Sequence, residues 1–305
     1  MISRNAQENL EQVLDDRVAF GVPMSKHTSL RVGGPADALA TPRDRAELRS
    51  LLGVCNRHAL PHCVIGGGFN VLVRDGGIEG VVISLKKLRR HERRSENSLF
   101  AEAGVSHATI TRFCIEQGLS GLEFAAGIPG TVGGWLRMNA GIPDREQKDV
   151  VREIEIVSAD GEREERWEST RLGFGYRELR GLPEGASIVS GLFEVTSSAR
   201  EAVQQEVDRL LAHRGQSQPL DVPSCGSVFR NPKGDRAGRL IDAASLGGER
   251  IGGAEISNVH ANFIANRGGA TADDVLALID RARERVLQES GIRLETEVCI
   301  IGREA

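Results

Sequence analysis

Aromatic side chains are scarce in this chain: one tyrosine, two tryptophans and 4% aromatic residues in all. The core of a 305-residue protein of this kind is built from Leu, Val, Ile and Ala, and stacking on many rings is not how it would hold a planar ligand. Cysteine offers no framework either. The five residues (Cys55, Cys63, Cys114, Cys225, Cys299) are odd in number and form no C-x-x-C pair, which disfavours disulfides and a zinc site and fits a reducing cytosol. No segment approaches the roughly 18 uncharged apolar residues of a membrane helix, and the polar start MISRNAQENLEQ lacks the apolar stretch of a signal peptide. A net charge of -4 gives no reason to expect nucleic acid or an anionic membrane as the main partner. The basic run KKLRRHERR (86–94) has no interleaved aromatics and reads as a solvated face between two strands. There is no G-x-S-x-G, H-E-x-x-H or D-x-D-x-D-G. The histidines show no ligand spacing, so no metal is expected, and His260 reads as a hydrogen-bonded structural residue. A soluble, cytoplasmic protein is expected, with no obligate protein partner evident.

What the chain has instead is glycine in two places. The stretch GIPGTVGGWLRMNAG (127–141) carries five glycines and a proline in fifteen residues, a density that lets backbone turn tightly and approach a ligand. A solvated loop would be polar, yet Ile128, Val132, Trp135, Leu136 and Met138 fill the gaps, so a buried, ligand-facing loop is expected. The second place is GGGFN (66–70), at the end of the strand HCVIG. Consecutive unhindered N–H groups there form an anion cradle. It is not G-x-G-x-x-G, and VLVRDGG runs on as strand and turn where a helix should follow, which excludes a Rossmann dinucleotide site.

The periodicity predicts a helix over 4–20, short strands at 30–32 and 36–40, a helix over 43–58, and strands at 62–66, 80–85 and 98–104. Ser106 caps a helix ended by Gly118. Strands follow at 151–157 and 187–195, with a turn at Asp160-Gly161, then helices over 197–214, 239–244 and 272–290. The last is opened by a capping box of Thr271 with Asp274 and closed by Gly291. A final strand is expected over 293–302. A shift of pattern near 197, without a linker, suggests a second domain.

Three polar clusters lie beside these turns. FGYR (174–177) alone fits an exposed Arg beside a packed Tyr. In SCGSVFRNP (224–232), Ser227 follows a glycine with Arg230 and Asn231 near; an ordinary turn and a site fit equally well. In LETEV (294–298), Glu295 and Glu297 share a face of a strand that otherwise looks buried, so these carboxylates need a partner, through a salt bridge or a function.

The ordered set HTSLRVGGPA (27–36), GGGFNVLV (66–73), 127–141, FGYR, GSVFRNP (226–232), HANFIAN (260–266) and LETEVCIIG (294–302) resembles the UDP-N-acetylenolpyruvoylglucosamine reductase family over nearly the whole chain. The resemblance implies an α+β fold: a two-part FAD-binding domain of the vanillyl-alcohol-oxidase type, then a smaller α+β substrate-binding domain. The expected division is an N-terminal helix (1–23), an FAD domain (24–196, lobes 24–96 and 97–196) and a substrate domain (197–305). It further implies tightly but non-covalently bound FAD, NADPH as reductant, and reduction of the enolpyruvyl ether of a UDP-sugar in peptidoglycan precursor synthesis. FAD contacts fall on Arg31, Gly66, Gly67, Gly68, Phe69, Asn70, Gly127, Gly130, Thr131, Gly133, Gly134, Asn139 and Gly141. Substrate contacts fall on Tyr176, Arg214, Arg230, Asn231 and Asn262. The resemblance makes Ser227 the proton donor, with Arg177 and Glu297 stabilising the charge that develops on the substrate; no residue is assigned to a metal.

The chain departs from the family pattern in three places. Phe69 stands where the family has Ser, so one hydroxyl contact to the pyrophosphate is missing. Trp135 stands where a small residue is usual and is expected to pack behind the loop. GIPD (141–144) replaces a Gly-Ala-Tyr-Gly-like continuation. The short segment after FGYR resembles the branch without an extra tyrosine-bearing loop. Another FAD oxidoreductase of the same scaffold, acting on a sugar lactone or hydroxy acid, and a flavin-free nucleotide-sugar binder are the alternative classes.

Overall fold

The N-terminal helix stops earlier than its periodicity suggests. In the computed structural model, which describes residues 2–304, α1 is Arg4–Leu14, with Ala6, Leu10 and Leu14 buried along one face. Asp15 then takes φ 51°, which no helix tolerates, and the chain leaves as the strand Val18–Pro23. The remaining helices are α2 (Arg45–Arg57), α3 (His107–Gln117), α4 (Val132–Arg137), α5 (Arg200–Ser217), α6 (Ala237–Ala243) and α7 (Ala272–Ser290). Their ends follow local chemistry. Asp44 and Ser106 accept from the N–H groups of Glu47 and Thr109, and Gly118 and Gly291 close α3 and α7 in the left-handed conformation. The Thr271–Asp274 capping box is present on both sides.

The chain forms two compact units. The first comprises residues 1–20, 37–67 and 80–214; the second comprises 21–36, 68–79 and 215–305. Compact packing thus draws a line after Arg214, not at the change of pattern near 197. The physical reason is α5, whose Val203 and Val207 pack on Ile115 and Ala126 of the first unit.

In the first unit a five-stranded antiparallel sheet runs in the order Glu164–Glu168, Val151–Val157, Ser187–Glu194, Ser98–Glu102, His91–Ser95. The basic run is therefore partly an edge strand, not only a connection, and its exposed arginines discourage pairing with another chain. Ile154, Leu99 and Ala101 face a core shared with Ile110, Trp135 and Leu136 of α3 and α4. A second sheet, in the order Val18–Pro23, Pro35–Ala40, Ile78–Ser84, His62–Ile65, ends in a parallel pair, with Leu48, Leu51 and Leu52 of α2 in the adjoining core.

In the second unit, Ser224–Ser227, Phe263–Asn266, Ala254–Ile256 and Arg250–Ile251 form an antiparallel sheet. Its core includes Val275, Leu278, Ile279, Ala282 and Val286 of α7. The helix starts on a carboxylate: Asp75 accepts from the N–H groups of Ala272 and Asp273, both at 3.0 Å, where the helix dipole favours negative charge.

Two expected strands are corrected. Residues 30–32 form a turn, because Arg31 sits at φ 58° and Thr28 Oγ1 donates across it to the Val32 carbonyl at 2.8 Å. The C-terminal strand is only Cys299–Ile301, paired parallel with Val71–Val73; Glu295 and Glu297 precede it in irregular backbone with a single bridge, Thr296 to Phe229. Among the described residues no helix is long and apolar enough to cross a membrane.

Burial pushes the Cys55, Cys114 and Cys225 thiols up to about 12, whereas Cys299 is exposed. Because the thiolate is the reactive form, brief iodoacetamide treatment of native protein and peptide mass mapping should show Cys299 modified first and these three protected. Equal labelling of Cys225 would mean that the core beneath the second sheet opens readily.

Candidate active site

The two glycine-rich loops, distant in sequence, meet in the first unit. A Cβ placed on Gly66 would lie 2.7 Å from Thr131 Oγ1, so only glycine lets that hydroxyl approach. Thr131 opens α4 without using its side chain as a cap. A Cβ on Gly130 or Gly134 would make only ordinary contacts, at 3.8 Å, with Trp135 and Thr131 respectively. Other glycines of the stretch are crowded by protein. A Cβ on Gly133 would meet Ala103 at 2.9 Å, one on Gly141 would meet the Arg145 carbonyl at 2.3 Å, and one on Gly127 would meet Leu211 at 2.9 Å. Trp135 packs behind the loop as expected: it is 2% exposed, and its Nε1 donates to the Ile128 carbonyl at 3.1 Å. Truncating a core tryptophan typically costs about 3–5 kcal/mol.

Where the stretch ends, charge gathers. Arg177 holds φ 58°; its guanidinium donates to the Gly141 carbonyl at 3.1 Å and pairs with Glu146 at 3.5 Å. Asn139 and Asp144 also have positive φ. Such backbone costs of order 1–3 kcal/mol per residue and clusters at functional sites. Asn139 is anchored by its carboxamide. It is fully buried; its Nδ2 donates to Glu146 and to the Gly175 carbonyl, and its Oδ1 accepts from the Lys148 N–H, each at 2.9 Å. Gln147 is also fully buried, with neither amide atom hydrogen-bonded to the protein. Arg214 donates weakly to the Ala126 carbonyl. Burial, then the like charge of Arg177, depresses its pKa, so these two guanidiniums together favour an anion. Tyr176 is exposed, with the Arg177 guanidinium 5.1 Å from its ring.

The second unit continues the first loop. Gly68, at φ 69°, would place a Cβ 2.1 Å from the His27 carbonyl oxygen. Ser29 donates from its N–H to the Gly68 carbonyl at 2.9 Å and from its hydroxyl to the Ser224 carbonyl at 2.6 Å. Asn70 donates its amide to the Glu297 carbonyl at 3.1 Å and accepts at its own carbonyl from the Cys299 N–H. Phe69 is half-buried and Arg31 exposed.

Ser227 follows Gly226, at φ 74°, and lies close in the chain fold to Glu297, whose N–H donates to the Val228 carbonyl at 2.8 Å. Arg230 has its backbone N–H on the Glu295 carbonyl and its Nε buried without a protein partner, a donor available to an acceptor. Glu295 itself is exposed. Asn231 accepts from the Ala237 N–H at 3.0 Å at the start of α6. Asn262 spends its carboxamide on the backbone of Phe229.

The bonds around Glu146 and Ser29 had no signal in the sequence, since REQ and the serine of HTSLR carry no spacing pattern. The residues fit FAD on structural grounds. Glycines at 66 and 134 border the Thr131 hydroxyl, and buried polar atoms of Gln147 lack protein partners. Gly66, Gly67, Gly130, Thr131 and Gly134 would line its path in the first unit.

Comparison with known proteins gives concordant results. Residues 36–165 match the FAD binding domain family, and residues 218–301 match the family described as UDP-N-acetylenolpyruvoylglucosamine reductase, C-terminal domain. The UDP-N-acetylenolpyruvoylglucosamine reductase of Geotalea uraniireducens (strain Rf4) is 43% identical over 298 residues, 98% of each chain. The crystal structure of UDP-N-acetylenolpyruvylglucosamine reductase (MurB) from Thermus caldophilus superposes with a TM-score of 0.80 at 34% identity, covering 93% of this chain and 97% of that one. p-Cresol methylhydroxylase with substrate bound shares the fold, with a TM-score of 0.50 at 16% identity over 96% of this chain and 65% of that one.

Two outcomes follow from this geometry. Gly66→Ala should lower flavin content, read as visible absorbance per chain, and Thr131→Ala in the same protein should restore it, because the obstacle is a side chain. Gly68→Ala meets backbone and should cost about 1–3 kcal/mol with no such rescue; restoration by Thr131→Ala there would refute the distinction. His107, at the start of α3, has a pKa lowered from 6.5 mainly by burial, with Arg214 adding and the Gly130 hydrogen bond opposing. Below pH 6.5 the unfolded chain binds a proton that the folded one refuses, so stability present above that value is lost as pH falls. The urea midpoint should drop between about pH 7.5 and about pH 5.5, and less so in His107→Gln.

Proposed function

Because the chain belongs to the UDP-N-acetylenolpyruvoylglucosamine reductase family, we propose that it reduces the enolpyruvyl ether of UDP-N-acetylglucosamine enolpyruvate to UDP-N-acetylmuramate, an FAD-dependent step of peptidoglycan precursor synthesis with NADPH as reductant. We infer a cytoplasmic site of action. The reading assigns FAD to residues 24–196 and the substrate to 197–305, with Arg177 the catalytic residue supplied by the former. One observation carries it: Ser227 and Glu297 sit on segments joined by backbone hydrogen bonds, inside the region matching the reductase C-terminal domain.

Bound FAD supplies a carrier that accepts hydride from NADPH and passes it to the terminal carbon of the enolpyruvyl group. The protein's task is then the substrate. As the double bond takes up hydride, negative charge moves onto the carbon beside the carboxylate and into that carboxylate. Arg177 presents a planar, permanently charged fork to it, and Arg214 adds a second positive charge nearby. The Ser227 hydroxyl delivers a proton to the carbon beside the carboxylate. A serine is a weak acid in water, but a carbanion-like intermediate is a strong base, so a positioned O–H suffices. Glu297 assists while it carries or shares a proton, since a bare carboxylate would repel the developing charge. Arg230, with its buried donor, and Asn231 and Tyr176 are assigned to the nucleotide-sugar. The same region of match argues against an oxidase of this scaffold.

Ser227→Ala should slow substrate reduction by about two to four orders of magnitude, the general-acid range, while NADPH still bleaches the flavin at the original rate. Stopped-flow absorbance separates the two half-reactions; equal losses in both would remove Ser227 from this role. Glu297→Gln should purify yellow, and a colourless protein would make Glu297 structural.

A further inference from the structure

The strand that carries Ser227 is held where regular pairing stops. Ser224 lies opposite Ala265 and Ser227 opposite Phe263, with a register break between them taken up by Gly226. A bulge of this kind re-aims the side chain that follows it. Beyond Ser227 the ladder is continued by a side chain. Asn262 Oδ1 accepts from the Phe229 N–H at 2.9 Å, Asn262 Nδ2 donates to the Phe229 carbonyl at 2.8 Å, and the Asn262 carbonyl accepts from the Val228 N–H at 2.8 Å. With Asn262 only 3% exposed, these bonds form away from water, where an unmade one is costly.

The opposite edge of the same segment carries the other candidate catalytic residue. The Val228 carbonyl accepts from the N–H groups of Glu297 and Val298, and the Arg230 N–H donates to the Glu295 carbonyl. The backbone at 228–230 is thus gripped by a carboxamide on one side and by the Glu297 segment on the other. Asn262 is itself fixed: its N–H donates to His260 Nδ1 at 3.2 Å, and the His260 ring meets Phe263 edge-on at 4.9 Å. Burial lowers the His260 pKa, which keeps Nδ1 available as an acceptor.

We propose that Asn262 is a positioning residue for proton donation, its carboxamide standing in for a peptide unit of the sheet and setting the Ser227 hydroxyl relative to Glu297. The inference rests on the assignment of Ser227 as proton donor. It requires the amide specifically. Aspartate has the same shape, but it would set a carboxylate oxygen against the Phe229 carbonyl, acceptor against acceptor.

The test is a double-mutant cycle on the full-length flavin-loaded enzyme with Ser227→Ala, Asn262→Asp and the two combined. In Asn262→Asp, substrate reduction should slow by about 10- to 100-fold, the effect of a misplaced catalytic group. KM for the UDP-sugar should stay within about twofold, and flavin reduction by NADPH should be unchanged. The double variant should be hardly slower than Ser227→Ala alone. A raised KM with kcat retained would make Asn262 a substrate contact, and fully multiplicative losses would make it general scaffold; either overturns the proposal. If Asn262→Asp does not fold, Asn262→Ser enters the same cycle. If Ser227→Ala keeps the original rate, the proton-donor assignment fails independently. Hydrogen exchange at Phe229 then judges the clamp: selective loss of protection there in the Asn262 variant supports it, and unchanged protection refutes it.

Discussion

Between the strand ending at Ile65 and the one beginning at Val71, the chain has no room for side chains at two positions. Gly66 gives way to the Thr131 hydroxyl and Gly68 to the His27 carbonyl. Each close approach joins segments far apart in sequence, and each belongs to a different compact unit, since the division falls between Gly67 and Gly68. Everything assigned to cofactor binding depends on this loop keeping its path. Because a backbone atom sits at Gly68 and a side-chain atom at Gly66, the two constraints differ in kind: one is set by the chain trace and the other by a single hydroxyl.

Electrostatics refines the site more than it stabilises the fold. Most ion pairs lie at the surface, where a pair is worth about 0–1 kcal/mol. The group around Glu146 is different, with side chains of Glu146 and Arg177 less than a fifth exposed. There Glu146 takes a hydrogen bond from Asn139 and ion pairs from Arg177 and Lys148, which help to fix the guanidinium. Arg214 has its pKa lowered by burial and then by the like charge of Arg177, a tension that the anionic group of the proposed substrate would relieve. On the second unit the same economy appears in neutral form: Asn262 holds the Ser227 segment with an amide, adding no charge beside the proposed proton donor.

Residues with local mechanisms were legible in the sequence. Thr271, Asp274 and Gly291 announced α7, Ser106 and Gly118 announced α3, and the alternation of Val151–Val157 announced a central strand. The family was legible because seven short motifs occur in order, although each alone is an ordinary turn. What escaped was set by tertiary contacts. Leu30 and Val32 alternate like a strand yet belong to a turn, because Thr28 and Arg31 bend it. Helix α4 inside the glycine-rich stretch defied its composition. The resemblance implied ligand contacts at Asn139 and Asn262, but nothing in the sequence announced the hydrogen bonds that their buried carboxamides make to Glu146, Gly175, Lys148 and Phe229. Glu146 gave no sign at all, since its role depends on Arg177, 31 positions away by residue number.

The account stands or falls on where the electrons go. Purified protein should be yellow and, without oxygen and beyond the single equivalent that reduces its own flavin, should consume NADPH only when UDP-N-acetylglucosamine enolpyruvate is added, one equivalent for each UDP-N-acetylmuramate formed, as read by absorbance and product mass. Protein lacking flavin, or NADPH consumption that ignores the enolpyruvyl ether and follows oxygen instead, would contradict it.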